Sequence, residues 1–182
     1  KKVQDLRYGE NPHQKAALYK FDANIDYEVL QGKELSFNNF VDMTCAYNIV
    51  SEFIDVPAVS IIKHNNPCGV ALGDDIFDAY LKAFDCDPIS AFGGIIGFNQ
   101  PVTEAIAKHV KEIFLEVLIA PDFTSEARDI LKDKKNLRLV KINTDLLDYK
   151  YTQKNIFKAS PFGILVQTAD QVELTKDTFR PV

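Results

Sequence analysis

Cysteine is scarce in this sequence. Cys45, Cys68 and Cys86 are odd in number, widely spaced and without a Cys-x-x-Cys pair, which excludes a disulfide framework and fits a reducing compartment, the cytoplasm. Histidine is equally sparse: His13, His64 and His109 show no i, i+4 pair and no neighbouring Cys, so no zinc-ligand spacing exists. No apolar run approaches the roughly 18 residues of a membrane span, and Lys1-Lys2-Val3-Gln4-Asp5 lacks the apolar core of a signal peptide. The chain is therefore expected to be soluble. Positive charge is also short: with a net charge of −5, no general basic field exists to hold nucleic acid or an anionic membrane surface. Any anionic ligand must be held locally. Neither a Pro/Gly/Ser-rich linker nor a repeat or low-complexity tract divides the chain, so residues 1–182, 46% apolar and 26% charged, are expected to form a single domain.

What is present centres on Val59-Ser60-Ile61-Ile62-Lys63-His64-Asn65-Asn66-Pro67-Cys68-Gly69. A β-branched apolar run reads as a strand over 58–63, then breaks into two ionisable side chains and a Pro/Gly stretch that cannot continue a central strand. Ligand crevices of open α/β sheets lie outside the carboxyl ends of strands, which puts Lys63 and His64 where such a sheet does its chemistry. An ordinary solvated loop is the alternative. Extended neighbours point to opposite faces, so both can serve one site only if the chain bends at Lys63-His64, a bend the Pro67-Cys68-Gly69 turn would supply.

Upstream, Leu6-Arg7-Tyr8-Gly9-Glu10-Asn11-Pro12-His13-Gln14 reads as a polar loop. It is either filler or a binding segment in which the Arg7 fork holds a phosphate or carboxylate and Tyr8 adds a hydroxyl. A short strand is expected over 15–21 and a turn over 30–35. A helix follows from Asn38 or Asn39 to Ile54, with Asn39 and Asp42 at its entrance as capping or dipole-matching residues. Downstream, helices are expected near 74–84, 102–114 and 125–134, and strands at 95–98, 115–121 and 136–142. Gly93-Gly94 permits close backbone approach to a ligand but lacks dinucleotide-fingerprint or P-loop spacing. Glu116 interrupts an apolar strand entry, where a carboxylate needs a partner, a ligand or water. Lys132-Asp133-Lys134-Lys135 reads as a solvated helix end. Alternation from 58 to 142 predicts a layered α/β sheet with helices on its faces and favours parallel pairing. Extended segments are expected near 148–159 and 163–167, and 178–182 carries no helix-stop or capping signal.

Five of these stretches, in order, resemble one family: the Arg7–Gln14 loop, Gly32-Lys33-Glu34-Leu35-Ser36-Phe37-Asn38-Asn39, Lys63–Gly69, Asp87-Pro88-Ile89-Ser90-Ala91-Phe92-Gly93-Gly94, and Glu116-Val117-Leu118-Ile119-Ala120-Pro121. They are similar to the transformylase part of the bifunctional purine enzyme that joins 5-aminoimidazole-4-carboxamide ribonucleotide (AICAR) formyltransferase to inosine monophosphate (IMP) cyclohydrolase. The resemblance implies a mixed, layered α/β fold like that of cytidine deaminases, without their zinc, since no second Cys follows Cys68 at the signature spacing. It implies formyl transfer from 10-formyltetrahydrofolate, the co-substrate, to the AICAR 5-amino group, with His64 as the base, Lys63 as the oxyanion's cation, and no metal required. Arg7, Tyr8, Asn39, Phe92, Gly93, Glu116 and Lys135 are implied as substrate-binding, Lys135 through a phosphate. The resemblance further implies a homodimer with shared active sites. A cyclohydrolase domain ahead of this stretch and a second transformylase half beyond it are implied too, so this piece alone is expected to show little or no activity. A non-catalytic nucleotide-binding or assembly module is the competing reading.

Overall fold

The computed structural model describes residues 1–20, 26–142, 155–168 and 170. An antiparallel pair, β1 (Lys2–Leu6) and β2 (Ala16–Tyr19), opens the chain. Then come β3 (Tyr27–Gln31), α1 (Phe37–Val50), β4 (Ala58–Lys63), β5 (Asn66–Leu72), α2 (Ile76–Cys86), α3 (Pro88–Ala91) and β6 (Ile95–Phe98). They are followed by α4 (Glu104–Lys111), β7 (Val117–Ala120), α5 (Ser125–Leu131), β8 (Arg138–Ile142) and the hairpin β9 (Asn155–Ser160) and β10 (Gly163–Thr168). Six strands form the main sheet in the order β3-β8-β7-β6-β4-β5. The expected segments at 148–154 and 178–182, and the last residue of the strand expected over 15–21, lie outside the described residues.

Pairing is mixed rather than mainly parallel. Only β6–β7 and β7–β8 run parallel, while β3–β8, β4–β5 and β4–β6 are antiparallel. The cause is local: two residues separate β4 from β5, and so short a link can join only antiparallel neighbours. The turn read into Pro67-Cys68-Gly69 is instead part of β5, a strand at the sheet's edge. An edge tolerates proline because one of its sides needs no ladder donor. Likewise β3, whose last two residues fall within the turn expected over 30–35, is the other edge strand.

Alternation along the buried strands sends side chains to two cores. Val59, Ile61, Ile96, Phe98, Leu118 and Leu139 pack against α2, α4 and α5, and Ile62, Ile95, Val117, Ile119 and Val140 pack against α1. Each such side chain contributes roughly 1.5–3 kcal/mol on leaving water, an upper figure because denatured chains already bury some surface. Helices thus cover both faces. Contact between α1 and the sheet is close because Gly97 carries no side chain there: a Cβ would stand 3.0 Å from that of Ala46. Ser60 Oγ seals the contact by donating to the Ala46 carbonyl at 3.0 Å.

Helix ends differ from the expected ones in instructive ways. Ser36 caps α1, its side chain accepting from Asn39 N while Asn39 Oδ1 accepts from Ser36 N, a reciprocal box that puts Asn39 one turn inside the helix. Asp75 caps α2 by accepting from the N–H groups of Phe77 and Asp78. Helix α5 stops at Leu131, so the Lys132–Lys135 run lies beyond it. Lys134 donates across to the Lys111 and Ile113 carbonyls at the end of α4, and burial holds its ammonium below the ordinary lysine range. Among the described residues no helix is long and apolar enough to cross a membrane.

Candidate active site at the amino edge of the parallel strands

Because β4 runs against β6, the carboxyl end of β4 meets the amino ends of β6, β7 and β8, with Ile62 opposite Ile95, Ile95 beside Val117 and Val117 beside Arg138. Helix α1 precedes β4 and packs on it, so its amino end with Ser36 and Asn39 faces the same edge. The crevice rule for parallel sheets therefore holds for β4 and is inverted for β6, β7 and β8.

At this edge Lys63 and Asn66 form the last pair of the β4–β5 hairpin, and His64 and Asn65 are its two-residue loop, at φ 51° and 60°. Positive φ at both loop positions is the geometry that matches the right-handed twist of paired strands. The bend expected at Lys63-His64 falls one residue later. Lys63 is half-buried and its ammonium donates to the Phe92 carbonyl. Gly93, at φ 72°, leaves room for that ammonium, since a Cβ there would stand 2.9 Å from Lys63 Nζ and 3.3 Å from the Phe114 ring. Phe92 itself is exposed and packs on Phe114 with centroids 5.2 Å apart.

His64 is exposed and opens on the α1 side, lining a cavity of 340 Å³ with Glu10, Phe37, Asn38, Val41, Asp42 and Asn65. The imidazole is thus neither sealed in hydrocarbon nor remote from a hollow. Asp42 lines the same cavity and accepts the Asn65 N–H. Burial pushes its carboxyl above the ordinary aspartate value, while the Asn65 N–H and the charges of His64 and Lys63 pull it back and Glu116 opposes them.

Glu116 precedes β7, and its carboxylate accepts from Asn39 Nδ2 at 2.9 Å, which supplies the partner that its position demanded. Arg7 and Tyr8 approach the same edge through the backbone, with Arg7 N–H donating to the Leu35 carbonyl at 3.5 Å and Phe37 N–H to the Tyr8 carbonyl at 3.2 Å. The Arg7 guanidinium lies 5.5 Å from the Tyr8 ring centre. Lys135 is exposed in the turn between α5 and β8, four residues past the helix whose end it was expected to occupy. It shares the edge with the others, but no bond joins its side chain to Lys63, Asn39 or Glu116.

Arg138 is not among the candidates read from the sequence, where it falls within the strand expected over 136–142. It is 7% exposed, and its guanidinium donates to the carbonyls of Lys33, Glu34 and Asn136. Burial lowers its pKa, Glu116 raises it, and Arg7 and Tyr8 act on it as well. Arg7, Tyr8 and Glu116 thus all bear electrostatically on one buried cation. The available signal was that a charge stands at the start of each strand, Glu116 just before β7 and Arg138 as the first residue of β8. Among the described residues no three His, Cys, Asp or Glu side chains group as they would around a metal ion. Chemically, the edge offers an ammonium, an accessible imidazole, a held carboxylate and clustered arginines, a set suited to proton transfer beside an anionic ligand.

A family model described as AICARFT/IMPCHase bienzyme matches residues 1–182. The chain is 46% identical over 185 residues to the bifunctional purine biosynthesis protein PurH of Thermoanaerobacter sp. (strain X514), covering 100% of this chain and 35% of that protein. It is 48% identical to PurH of Clostridium botulinum (strain Hall), covering 98% and 35%, and 47% identical to PurH of Bacillus thuringiensis (strain Al Hakam), covering 97% and 35%. The chain therefore spans about a third of the length of these curated relatives. Among solved structures, Acinetobacter baumannii RibD aligns with a TM-score of 0.45 at 12% identity, covering 62% of this chain and 39% of that one.

Proposed function

Because the chain belongs to the AICARFT/IMPCHase bienzyme family, we propose that in the full-length protein it supplies part of the site that transfers a formyl group from 10-formyltetrahydrofolate to the 5-amino group of AICAR. One observation carries this reading. Five stretches far apart in sequence, the Arg7-Tyr8 loop, Asn39, the Lys63-His64 turn, Gly93 and Glu116 bonded to Asn39, meet at one sheet edge.

The chemistry needs two complementary groups. The AICAR amine is a weak nucleophile, its lone pair drawn into the ring and carboxamide, so it attacks the formyl carbon only as its proton leaves. His64 takes that proton. The new C–N bond pushes charge onto the formyl oxygen, where the Lys63 ammonium, held beside Gly93, stabilises it. Collapse of the adduct breaks the bond to folate N10, which leaves with a proton. In this reading Asn39, Glu116, Phe92 and Gly93 line the nucleotide pocket, Arg7 and Tyr8 hold the ribotide, and Lys135 contacts its phosphate.

The same reading takes the six-stranded sheet as a cytidine-deaminase-like layer without zinc, and residues 1–182 as the first half of the transformylase region. A cyclohydrolase domain and a second half lie elsewhere in the protein, active sites are shared across a cytoplasmic homodimer, and the chain alone turns over little or nothing. Substituting His64→Ala in the full-length protein tests the assignment. Turnover should fall steeply with AICAR affinity kept, whereas unchanged turnover would leave this edge a binding role alone.

A further inference from the structure

The turn that carries His64 is held in an unfavourable shape by bonds from three side chains. His64 and Asn65 both occupy the left-handed region and neither is glycine, a conformation that costs energy and persists only where surrounding groups enforce it. Asp42 Oδ1 accepts the Asn65 N–H at 2.6 Å, Cys45 Sγ donates to the Asn65 carbonyl at 3.9 Å, and Asn66 Nδ2 donates to the His64 carbonyl at 3.0 Å. The shortest of these bonds is the carboxylate's. Asp42 and Cys45 are three residues apart on α1 and so share a helix face, which forms a seat for the turn.

Asp42 has no other evident task. It lies in the second turn of α1, where Ser36 and Asn39 already complete the cap, so the capping role expected from sequence is filled by others. The charges that face it come from separate elements: Lys63 at the end of β4, His64 in the turn and Glu116 ahead of β7.

We propose that Asp42 is a positioning residue for the formyl transfer, its carboxylate clamping the His64-Asn65 turn in the left-handed conformation and thereby aiming the imidazole into the cavity shared with Glu10, Phe37 and Asn38. The inference rests on the reading of His64 as the base. A backbone N–H is held more firmly by an ionised acceptor than by a neutral one, and misplacing a reacting group by about 1 Å can cost about 10²-fold in rate.

The test uses the full-length protein. Asp42→Ala is expected to lower kcat by about 10²-fold while the AICAR KM moves less than about threefold. Asp42→Asn, whose Oδ1 still accepts the N–H, loses less. Asp42→Ala combined with Asn65→Gly recovers at least about tenfold of the lost kcat, because glycine adopts positive φ without the clamp. Asn65→Val, on the exposed turn, also lowers kcat and decides the matter should Asp42→Ala not fold. Wild-type kcat in Asp42→Ala, no recovery with Asn65→Gly, or wild-type kcat in Asn65→Val would each overturn the clamp. If His64→Ala retains wild-type turnover, the assignment of the base itself fails, a result distinct from failure of the clamp alone.

Discussion

At the carboxyl ends of β6 and β7 the polar groups are spent on closing the sheet. Asn99 Oδ1 accepts the Ala58 N–H at 2.8 Å, and its amide donates to the Phe53 and Val56 carbonyls. Val102 N–H donates to the Asp122 carbonyl and Thr124 N–H to the Val102 carbonyl, each at 3.0 Å, over a buried Val102 and Phe123. At the amino ends the opposite holds: Lys63, Glu116, Arg138 and Arg7 present charge at the edge, and His64, on strained backbone, lines a 340 Å³ hollow. Helices α4 and α5 begin at the closed edge, yet α1 points its amino end at the open one. The contrast teaches that strand direction decides where a site forms. One antiparallel strand, β4, carries its chemistry to the edge that a purely parallel sheet would leave structural.

The two edges should separate under mutation. At the open edge, Lys63→Ala in the full-length protein should cut kcat by about 10²–10³-fold, the scale of removing one oxyanion donor, with little change in thermal midpoint. At the closed edge, Asn99→Ala strands one N–H and two carbonyls and should cost roughly 2–3 kcal/mol in denaturant unfolding, leaving kcat unaltered in the folded protein. Asn39→Ala straddles both effects. It removes half of the α1 capping box, worth about 1 kcal/mol, and frees the Glu116 carboxylate, so the AICAR KM should rise by about tenfold.

Two aspartates give the smallest and sharpest contrast, because their ionisation acts on stability with opposite signs. The Phe123 N–H and Lys141 hold Asp122 below the ordinary carboxylate value, so it favours the folded state above that value and loses this as pH falls through the lowered one. Burial raises Asp42, so its ionisation opposes folding at neutral pH and the penalty disappears as it protonates in acid. At pH 7 Asp122→Asn should lower, and Asp42→Asn raise, the thermal midpoint by about 1–3 °C each, modest because both groups are partly solvated. The Asp42 difference should vanish once pH falls below the ordinary carboxylate value, and the Asp122 difference only at lower pH still, below its lowered value.

The central strands and the four longer helices were legible, though not the short α3, because burial on two faces demands continuous apolar runs such as Val59–Ile62 and Val117–Ala120, and burial on one side demands helical spacing. The edges were not. Pro67 and Gly69 read as breakers, and only the position of β5 beside open solvent makes them strand residues. Strand direction was hidden for a related reason. His64-Asn65 lacks the glycine that usually announces a two-residue hairpin, its positive φ angles being enforced by Asp42 from 23 residues away. Of the site, the Lys63-His64 pair, the demand of Glu116 for a partner and the openness at Gly93 could be read directly. Arg138 could not, since nothing local distinguishes a solvated arginine from one whose donors meet carbonyls of a loop 104 and 105 residues earlier.

A crystal structure of the full-length protein with AICAR bound locates the chemistry most directly. The ribotide should lie along the amino ends of β6–β8, its 5-amino nitrogen within hydrogen-bonding distance of the His64 imidazole. A ribotide seated at the Asn99 and Asp122 edge, or bound with that amine turned away from His64, would contradict the account.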